Sequence, residues 1–159
     1  MVYDRVKTTG GTQVWQLVSP ASPATSGSRS TFAYPEIPAS SDGPGVPTHA
    51  LQVERVLPPS AVASVYDFTQ NDDFHGGFRL DETAPAGDNR FLHVLWVDGA
   101  AGAVAASGAD GVTLTIGGKT VVVQFNHDAI GGSVKIGDPA ATTLGVGLDA
   151  LPELASQAP

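Results

Sequence analysis

One uninterrupted hydrophobic stretch, Arg90-Phe91-Leu92-His93-Val94-Leu95-Trp96-Val97, constrains the fold of this chain more than any other feature. A half-exposed strand alternates apolar with polar residues, and this stretch does not, so it predicts a strand buried on both faces at the centre of a core. The turn pair Asp98-Gly99 closes the strand. His93 is the one polar side chain inside the run, and we expect a structural core histidine with a polar partner.

Turn-forming residues set the rest of the architecture. The 19 Gly and 12 Pro among 159 residues favour short strands joined by turns over long helices. The clearest hairpin joins 112–116 to 120–125, because Gly117-Gly118 supplies the positive φ angles of a two-residue turn. A second hairpin is predicted between the strands at 2–6 and 13–18, and a short edge strand at 30–34.

About ten short strands are predicted in this way, with little or no helix. The predicted fold is an all-β, antiparallel two-sheet β-sandwich, and a closed barrel is the alternative. Residues 1–140 are predicted to form the sandwich domain, and 141–159 a partly disordered C-terminal tail.

Composition and charge exclude several classes of function. The chain has no cysteine, so it forms no disulfide and no thiolate site. A net charge of −8 disfavours binding to nucleic acid or to anionic membranes. No apolar run reaches the roughly 18 residues of a membrane span. The N-terminus lacks the pattern of a signal peptide and begins like the middle of a strand, which indicates a fragment or an excised domain.

Catalytic and metal-ligating patterns are not evident. The four histidines stand far apart and none pairs at ligand spacing, so no metal site is predicted. No Gly-x-Ser-x-Gly elbow occurs, and no residue is assigned a catalytic role. Trp96 lies inside an apolar run and Trp15 lies beside Leu17 on the apolar face of a strand, and both are predicted to be core residues rather than a sugar-stacking platform.

The polar segment Asn71-Asp72-Asp73-Phe74-His75-Gly76-Gly77-Phe78 is the sharpest binding hypothesis. Its oxygens can bind Ca²⁺, and its aromatic rings can stack on a sugar. It departs from the EF-hand pattern, and a solvated turn is the plainer interpretation, so no cofactor is predicted beyond this possible calcium. The predicted ligand-binding residues are Tyr34, Tyr66, Asp72, Asp73, Phe74 and His75.

Three segments together resemble the C-terminal β-sandwich of heparinase II/III-like polysaccharide lyases. The likeness runs in order through roughly residues 2 to 136. Its first part is Val2-Tyr3-Asp4-Arg5-Val6 followed by Val14-Trp15-Gln16-Leu17-Val18, and its second is Leu51-Gln52-Val53-Glu54-Arg55-Val56-Leu57-Pro58. The third is Gly77-Phe78-Arg79-Leu80-Asp81-Glu82 followed by Asp88-Asn89-Arg90-Phe91-Leu92-His93-Val94-Leu95.

The resemblance implies a parent enzyme that cleaves uronic polysaccharides by β-elimination. In that family an α/α-toroid precedes the sandwich and supplies most catalytic groups, but nothing in this chain resembles the toroid. Val18 stands where many members have a histidine. The resemblance therefore implies a noncatalytic domain, partnered by an α/α-toroid and a polysaccharide, from a secreted or periplasmic protein.

Other functions remain open. A stand-alone carbohydrate-binding module would use Tyr34, Tyr66 and the 71–78 segment. The acidic charge makes such a module better suited to neutral than to acidic sugars. A structural or assembly protein is a further alternative, and an independent enzyme is the least favoured.

Overall fold

The computed structural model describes residues 1–35, 37, 45, 47–68, 76–99 and 102–145. Over these residues the chain is all-β, with thirteen antiparallel strands, no helix and no closed barrel. The strands are β1 Val2–Lys7, β2 Thr12–Ser19, β3 Pro23–Ser26, β4 Arg29–Tyr34, β5 His49–Leu57, β6 Val62–Asp67, β7 Phe78–Pro85, β8 Asp88–Val97, β9 Val104–Ala106, β10 Gly111–Ile116, β11 Lys119–Phe125, β12 Gly132–Ile136 and β13 Thr142–Leu144.

Two compact units divide the chain, Met1–Val104 and Ala105–Pro159. The first unit holds a large sheet of order β1-β8-β5-β4-β3 and a small sheet of order β2-β7-β6. Phe32 and Val53 of the large sheet and Leu80 of the small sheet form one fully buried cluster, so the two sheets pack face to face. This confirms the prediction of an all-β antiparallel sandwich.

Strand β8 lies at the centre of this core, as the hydrophobic stretch predicts. It hydrogen-bonds to β1 on one side and to β5 on the other. Its side chains are buried without interruption from Arg90 to Val94, with Phe91 on one face and Leu92 on the other. A strand with both faces buried has no solvent side, which is why its sequence does not alternate.

The predicted N-terminal hairpin is wrong. Strand β1 pairs with β8 in the large sheet, whereas β2 pairs with β7 in the small sheet. The connection between them crosses the sandwich, and the Gln13 amide holds it by donating to Thr8 Oγ1 at 3.0 Å and to the Gly87 carbonyl at 2.8 Å. This arrangement encloses Trp15 between two sheets, and an isolated hairpin would leave its ring on a surface.

The predicted edge strand at 30–34 forms as β4, but it lies inside the large sheet. It pairs with β5 on one side and with β3 on the other. The Ser- and Ala-rich composition of 19–28 concealed β3, which takes the edge position instead. Pro23 begins it, and an edge strand tolerates proline there because one row of its N–H groups needs no partner.

The second unit contains one sheet of order β13-β12-β11-β10-β9. The predicted hairpin around Gly117-Gly118 is confirmed, with φ angles of 55° and 76° and β10 paired to β11. Its buried side chains are Val112, Leu114, Val121 and Val123. Strand β13 lies in the segment that the sequence placed in the C-terminal tail, and it pairs with β12.

The Asp98-Gly99 turn links the end of β8 to the start of β5 through the Asp98 side chain. The Asp98 carboxylate accepts a hydrogen bond from the Ala50 N–H at 2.8 Å and contacts the His49 ring, and Asp98 adopts a positive φ of 46°. The Ala50 hydrogen bond, followed by the contact with His49, lowers the pKa of the Asp98 carboxyl. The folded state therefore favours the ionised carboxylate.

Asp98→Asn is expected to lower stability at neutral pH and to flatten the acid limb of the stability curve. A carboxyl with a lowered folded pKa stabilises the fold fully above its unfolded pKa of about 3.9, and this contribution is lost as the pH falls through the folded value. Urea midpoints measured from neutral pH into acid test this. Asp4→Asn, on the exposed part of β1, is the control. Parallel acid limbs for wild type and Asp98→Asn would contradict the expectation.

Candidate functional site

Three ionisable side chains meet between the two sheets of the first unit. Glu82 Oε2 lies 2.8 Å from His93 Nε2, and Glu82 Oε1 lies 3.3 Å from Arg55 Nη1. His93 is 0% exposed and Glu82 1% exposed, and Arg55 is also buried. We call Arg55, Glu82 and His93 the inner charge cluster.

Strand periodicity explains why these residues converge. Arg55 shares the inward phase of Leu51 and Val53 on β5, and it lies opposite His93 on β8. Glu82 shares the inward phase of Leu80 and Ala84 on β7 of the small sheet. Because alternate residues of a strand point to the same face, all three project into the space between the sheets.

Two aromatic rings lie nearly parallel to the His93 imidazole and restrict its orientation. Trp15 stacks on it with ring centroids 3.7 Å apart and an interplanar angle of 18°. Phe91 lies nearly parallel to it, with centroids 6.5 Å apart. The predictions that Trp15 belongs to the core and that His93 is a core histidine with a polar partner are both confirmed.

The inner charge cluster is closed to substrates. His93 Nδ1 and Arg55 Nε are buried and have no hydrogen-bond partner among the described residues. Arg55 Nη1 is within ion-pair distance of Glu82 but is not aligned for a hydrogen bond. With no exposed surface on His93, the arrangement can orient and link the two sheets, and it offers no atom to an incoming ligand.

The solvent-facing side of the small sheet carries a different set of groups. The strand registers place three cross-strand rows on this side, which we call the outer face. The rows are Val18–Arg79–Tyr66, Gln16–Asp81–Ser64 and Val14–Thr83–Val62.

An aromatic pair and an arginine–aspartate ion pair lie side by side at one end of the outer face. The Tyr66 ring is tilted against Phe68 with centroids 4.7 Å apart, and the Arg79 guanidinium lies 5.4 Å from the Tyr66 centroid. Asp81 accepts from Arg79 Nε at 2.7 Å and from Nη2 at 2.9 Å. Gln16 donates to the same Asp81 carboxylate at 3.1 Å. The hydrogen bonds that Arg79 donates to Asp81 raise the pKa of Arg79 further, so its charge is permanent.

The predicted ligand-binding tyrosines do not share a surface. Tyr66 is 50% exposed on the outer face. Tyr34 is half-buried, packs against the cluster of Phe32, Val53 and Leu80, and shares a 2.9 Å hydrogen bond with Ser19 Oγ. Tyr34 therefore belongs to the space between the sheets.

The other predicted ligand residues, Asp72, Asp73, Phe74 and His75, lie outside the described residues, and with them the predicted calcium or sugar loop. The residues that flank this segment are described. The Phe68 N–H donates to the Gly77 carbonyl at 2.9 Å, beside Tyr66. Gly77 has a φ of 85°, and a Cβ there would lie 2.4 Å from the Ser19 carbonyl oxygen, so only glycine fits.

Among the described residues, each unit also contains an open hollow. In the first unit a cleft of about 380 Å³ runs between β1 and β2, with Asp4, Arg5, Trp15 and Phe91 in its lining. In the second, a hollow of about 510 Å³ lies between the β10–β11 turn and the end of β12, with Lys119 and Asp138 in its lining. Within the described residues no three His, Cys, Asp or Glu side chains are grouped to hold a metal ion.

The inner charge cluster and the Arg79–Asp81 pair were not predicted from the sequence, because each charged residue was considered without the face of the strand on which it lies. Arg55 and Glu82 each lie two positions after a buried apolar residue, Val53 and Leu80 respectively, and so share its face of the strand. This spacing indicates a buried charge. Arg79 and Asp81 stand in the opposite phase of β7 and mark its outer face.

The fold and site define an all-β sandwich domain with a buried ionic core and an exposed aromatic–arginine face. Comparisons with protein-family models, with curated proteins and with solved structures found no match. In the part of the chain that is described, no helix is long and apolar enough to cross a membrane.

Proposed function

We propose that the first unit is a noncatalytic β-sandwich domain of a heparinase II/III-like polysaccharide lyase. In this role it supports a cleft for uronic polysaccharide that it forms with an α/α-toroid. The parent reaction is β-elimination, and the toroid supplies its acid–base groups. The proposal includes a secreted or periplasmic location for the parent protein.

One observation carries the proposal. The three segments that resemble the lyase sandwich each contribute to the same buried group: Trp15 from the first, Arg55 from the second, and Glu82 with His93 from the third. The segments thus belong to one interlocked core. The strands of the third segment, β7 and β8, lie in different sheets and pair with β2 and β1 of the first.

The burial of His93 supports the noncatalytic part of the proposal. A general base must come within about 3 Å of the proton that it removes, directly or through one water. A histidine with no exposed surface, stacked on Trp15 and bonded to Glu82, does not meet that requirement.

The proposal is tested by reconstitution. The source genome is searched for a toroid-coding segment adjoining this reading frame, and the toroid is assayed with and without this chain for unsaturated uronate products from alginate and polygalacturonate. We expect no elimination by the chain alone and elimination by the toroid only when the chain is present.

A triple variant, Arg55→Met with Glu82→Leu and His93→Phe, separates a structural from a catalytic role of the inner charge cluster. We expect kcat of the reconstituted lyase to stay within about threefold, because the variant keeps the volume of the core. Elimination by the chain alone, loss of kcat in a folded triple variant, or a toroid equally active without the chain would each contradict the proposal.

A further inference from the structure

We propose that the outer face of the small sheet binds a neutral, hydroxyl-rich glycan, with Tyr66 as the stacking platform and Arg79, Asp81 and Gln16 as the hydrogen-bonding groups. This site goes beyond the proposed support role and does not depend on it.

The aromatic half of the site is Tyr66. Its ring is tilted 55° against Phe68, and the Arg79 guanidinium lies 5.4 Å from the Tyr66 centroid and 5.6 Å from the Phe68 centroid. These contacts hold the ring in place while half of its surface remains open to solvent. A fixed aromatic ring offers contact area at little cost in conformational entropy, and its apolar face suits the C–H side of a sugar ring.

The polar half of the site lies in the next cross-strand positions. Asp81 fixes the Arg79 fork through two hydrogen bonds, and Gln16 fixes Asp81 in turn. Asp81 uses two of the five guanidinium N–H groups, which leaves three that it does not engage. A prepositioned fork of donors next to a carboxylate acceptor can bond adjacent sugar hydroxyls, which act as both donor and acceptor.

Charge selects the class of glycan. The Arg79 cation is neutralised by the Asp81 carboxylate at 2.7 Å, so this end of the outer face has no surplus positive charge for a uronic carboxylate. The chain as a whole carries a net charge of −8, which repels a polyanion. A neutral glycan needs no surplus positive charge and is not repelled by the net negative charge of the chain.

The shape of the outer face agrees with a linear ligand. Val18 at 59% and Val62 at 69% exposed lie in the rows on either side of the Gln16–Asp81–Ser64 row, so the face presents apolar and polar groups across three strands. Adjacent strands lie about 4.8 Å apart, so the face is about 10 Å wide. Among the described residues both end rows of the outer face are exposed, with Val14 and Val62 in one and Val18 and Tyr66 in the other, so the face can take the interior of a polysaccharide as well as its end.

Affinity electrophoresis of the full chain tests the site with hydroxyethylcellulose, galactomannan and arabinoxylan as neutral probes, and with alginate and polygalacturonate as acidic ones. We expect retardation by at least one neutral polymer and none by the acidic polymers. Tyr66→Ala is expected to weaken binding at least tenfold, and Asp81→Asn to weaken it less. The retardation should persist at high salt, because screening has little effect on the binding of an uncharged glycan.

Two controls make the result specific. Ile116→Ala replaces a similarly exposed apolar residue of the second unit and should bind like wild type. Tyr66→Trp keeps an aromatic face and should restore binding that Tyr66→Ala loses. Urea midpoints establish that each variant is folded, as expected for substitutions at exposed positions.

Several results would overturn the site. These are no retardation by any neutral polymer, retardation by acidic polymers alone, or binding that Tyr66→Ala leaves unchanged. Self-association that Tyr66→Ala abolishes, or a toroid that covers Tyr66 in the reconstituted lyase, would instead assign the face to a protein. Because the glycan test needs no toroid, its failure leaves the support role standing, and failure of reconstitution leaves the glycan site standing.

Discussion

Glu82→Leu is expected to lower the free energy of unfolding of the first unit by about 3–5 kcal/mol. Glu82 is the only acid of the inner charge cluster, and its two carboxylate oxygens face Arg55 at 3.3 Å and His93 at 2.8 Å. Its removal leaves the Arg55 charge buried without compensation, in surroundings where hydration cannot replace the lost partner. Denaturant titration followed by tryptophan fluorescence measures the loss, because Trp15 stacks on His93.

Replacing all three ionisable partners is expected to recover most of that loss. In Arg55→Met with Glu82→Leu and His93→Phe no ionisable group of the inner charge cluster is left, and the phenyl ring can keep the stack on Trp15. A matched surface control is Lys7→Met, which removes the exposed 3.5 Å ion pair with Asp88, leaves the contact of Asp88 with Arg90 in place, and should cost about 1 kcal/mol or less. A triple variant less stable than Glu82→Leu would show that shape, rather than charge pairing, determines the stability of this site.

Elements of the fold that depend on neighbouring residues in the sequence were predictable, and pairings between distant parts of the sequence were not. The position and burial of β8 were predictable because eight consecutive residues carry the signal, and the β10–β11 hairpin was predictable because its turn is local. The partners of β1 and β2 were not, since alternation gives the inward face of a strand but does not give its neighbour. Here every residue of both strands pairs with a partner 59 or more positions away in the sequence.

The inner charge cluster was only partly predictable. Local pattern was sufficient to predict a polar partner for His93 inside an apolar strand. The identity of that partner was not predictable, because Glu82 lies in the other sheet, and facing residues of two packed sheets are matched only by the tertiary fold. Arg55 and Glu82 were each detectable as buried charges, since Arg55 follows Val53 and Glu82 follows Leu80 on the inward side of their strands.

The sequence also did not distinguish the environments of the two predicted ligand-binding tyrosines. Tyr34 and Tyr66 both stand beside loops, which made exposure a reasonable expectation for each. Tyr34 alternates with Phe32, a fully buried residue, so its phase directs it inward. Strand β6 has valine in both phases, at 62 and at 65, so no apolar contrast reveals which side of it Tyr66 occupies.

Phe32→Ala is expected to cost the first unit about 3–5 kcal/mol. The ring is 0% exposed and packs with Val53 and Leu80, so it spans the boundary between the large and the small sheet. Truncation removes the transfer free energy of a phenyl group and leaves a cavity that strands β4, β5 and β7 cannot fill, because each is held in register by a paired neighbour. Denaturant midpoints at constant m-value measure the cost.

Val62→Ala is the matched control for this truncation, because it shortens an apolar side chain of the same unit that is 69% exposed, and it should change stability by less than about 0.5 kcal/mol. A fall in m-value with Phe32→Ala would mean that the sheets separate in the native state rather than enclose a cavity. If Phe32→Ala cost no more than Val62→Ala, the two sheets would not depend on a shared core, and the sandwich itself would be in doubt. A large cost at Phe32 beside a small one at Val62 is therefore the result that distinguishes two sheets joined through their inner faces from two sheets that fold separately.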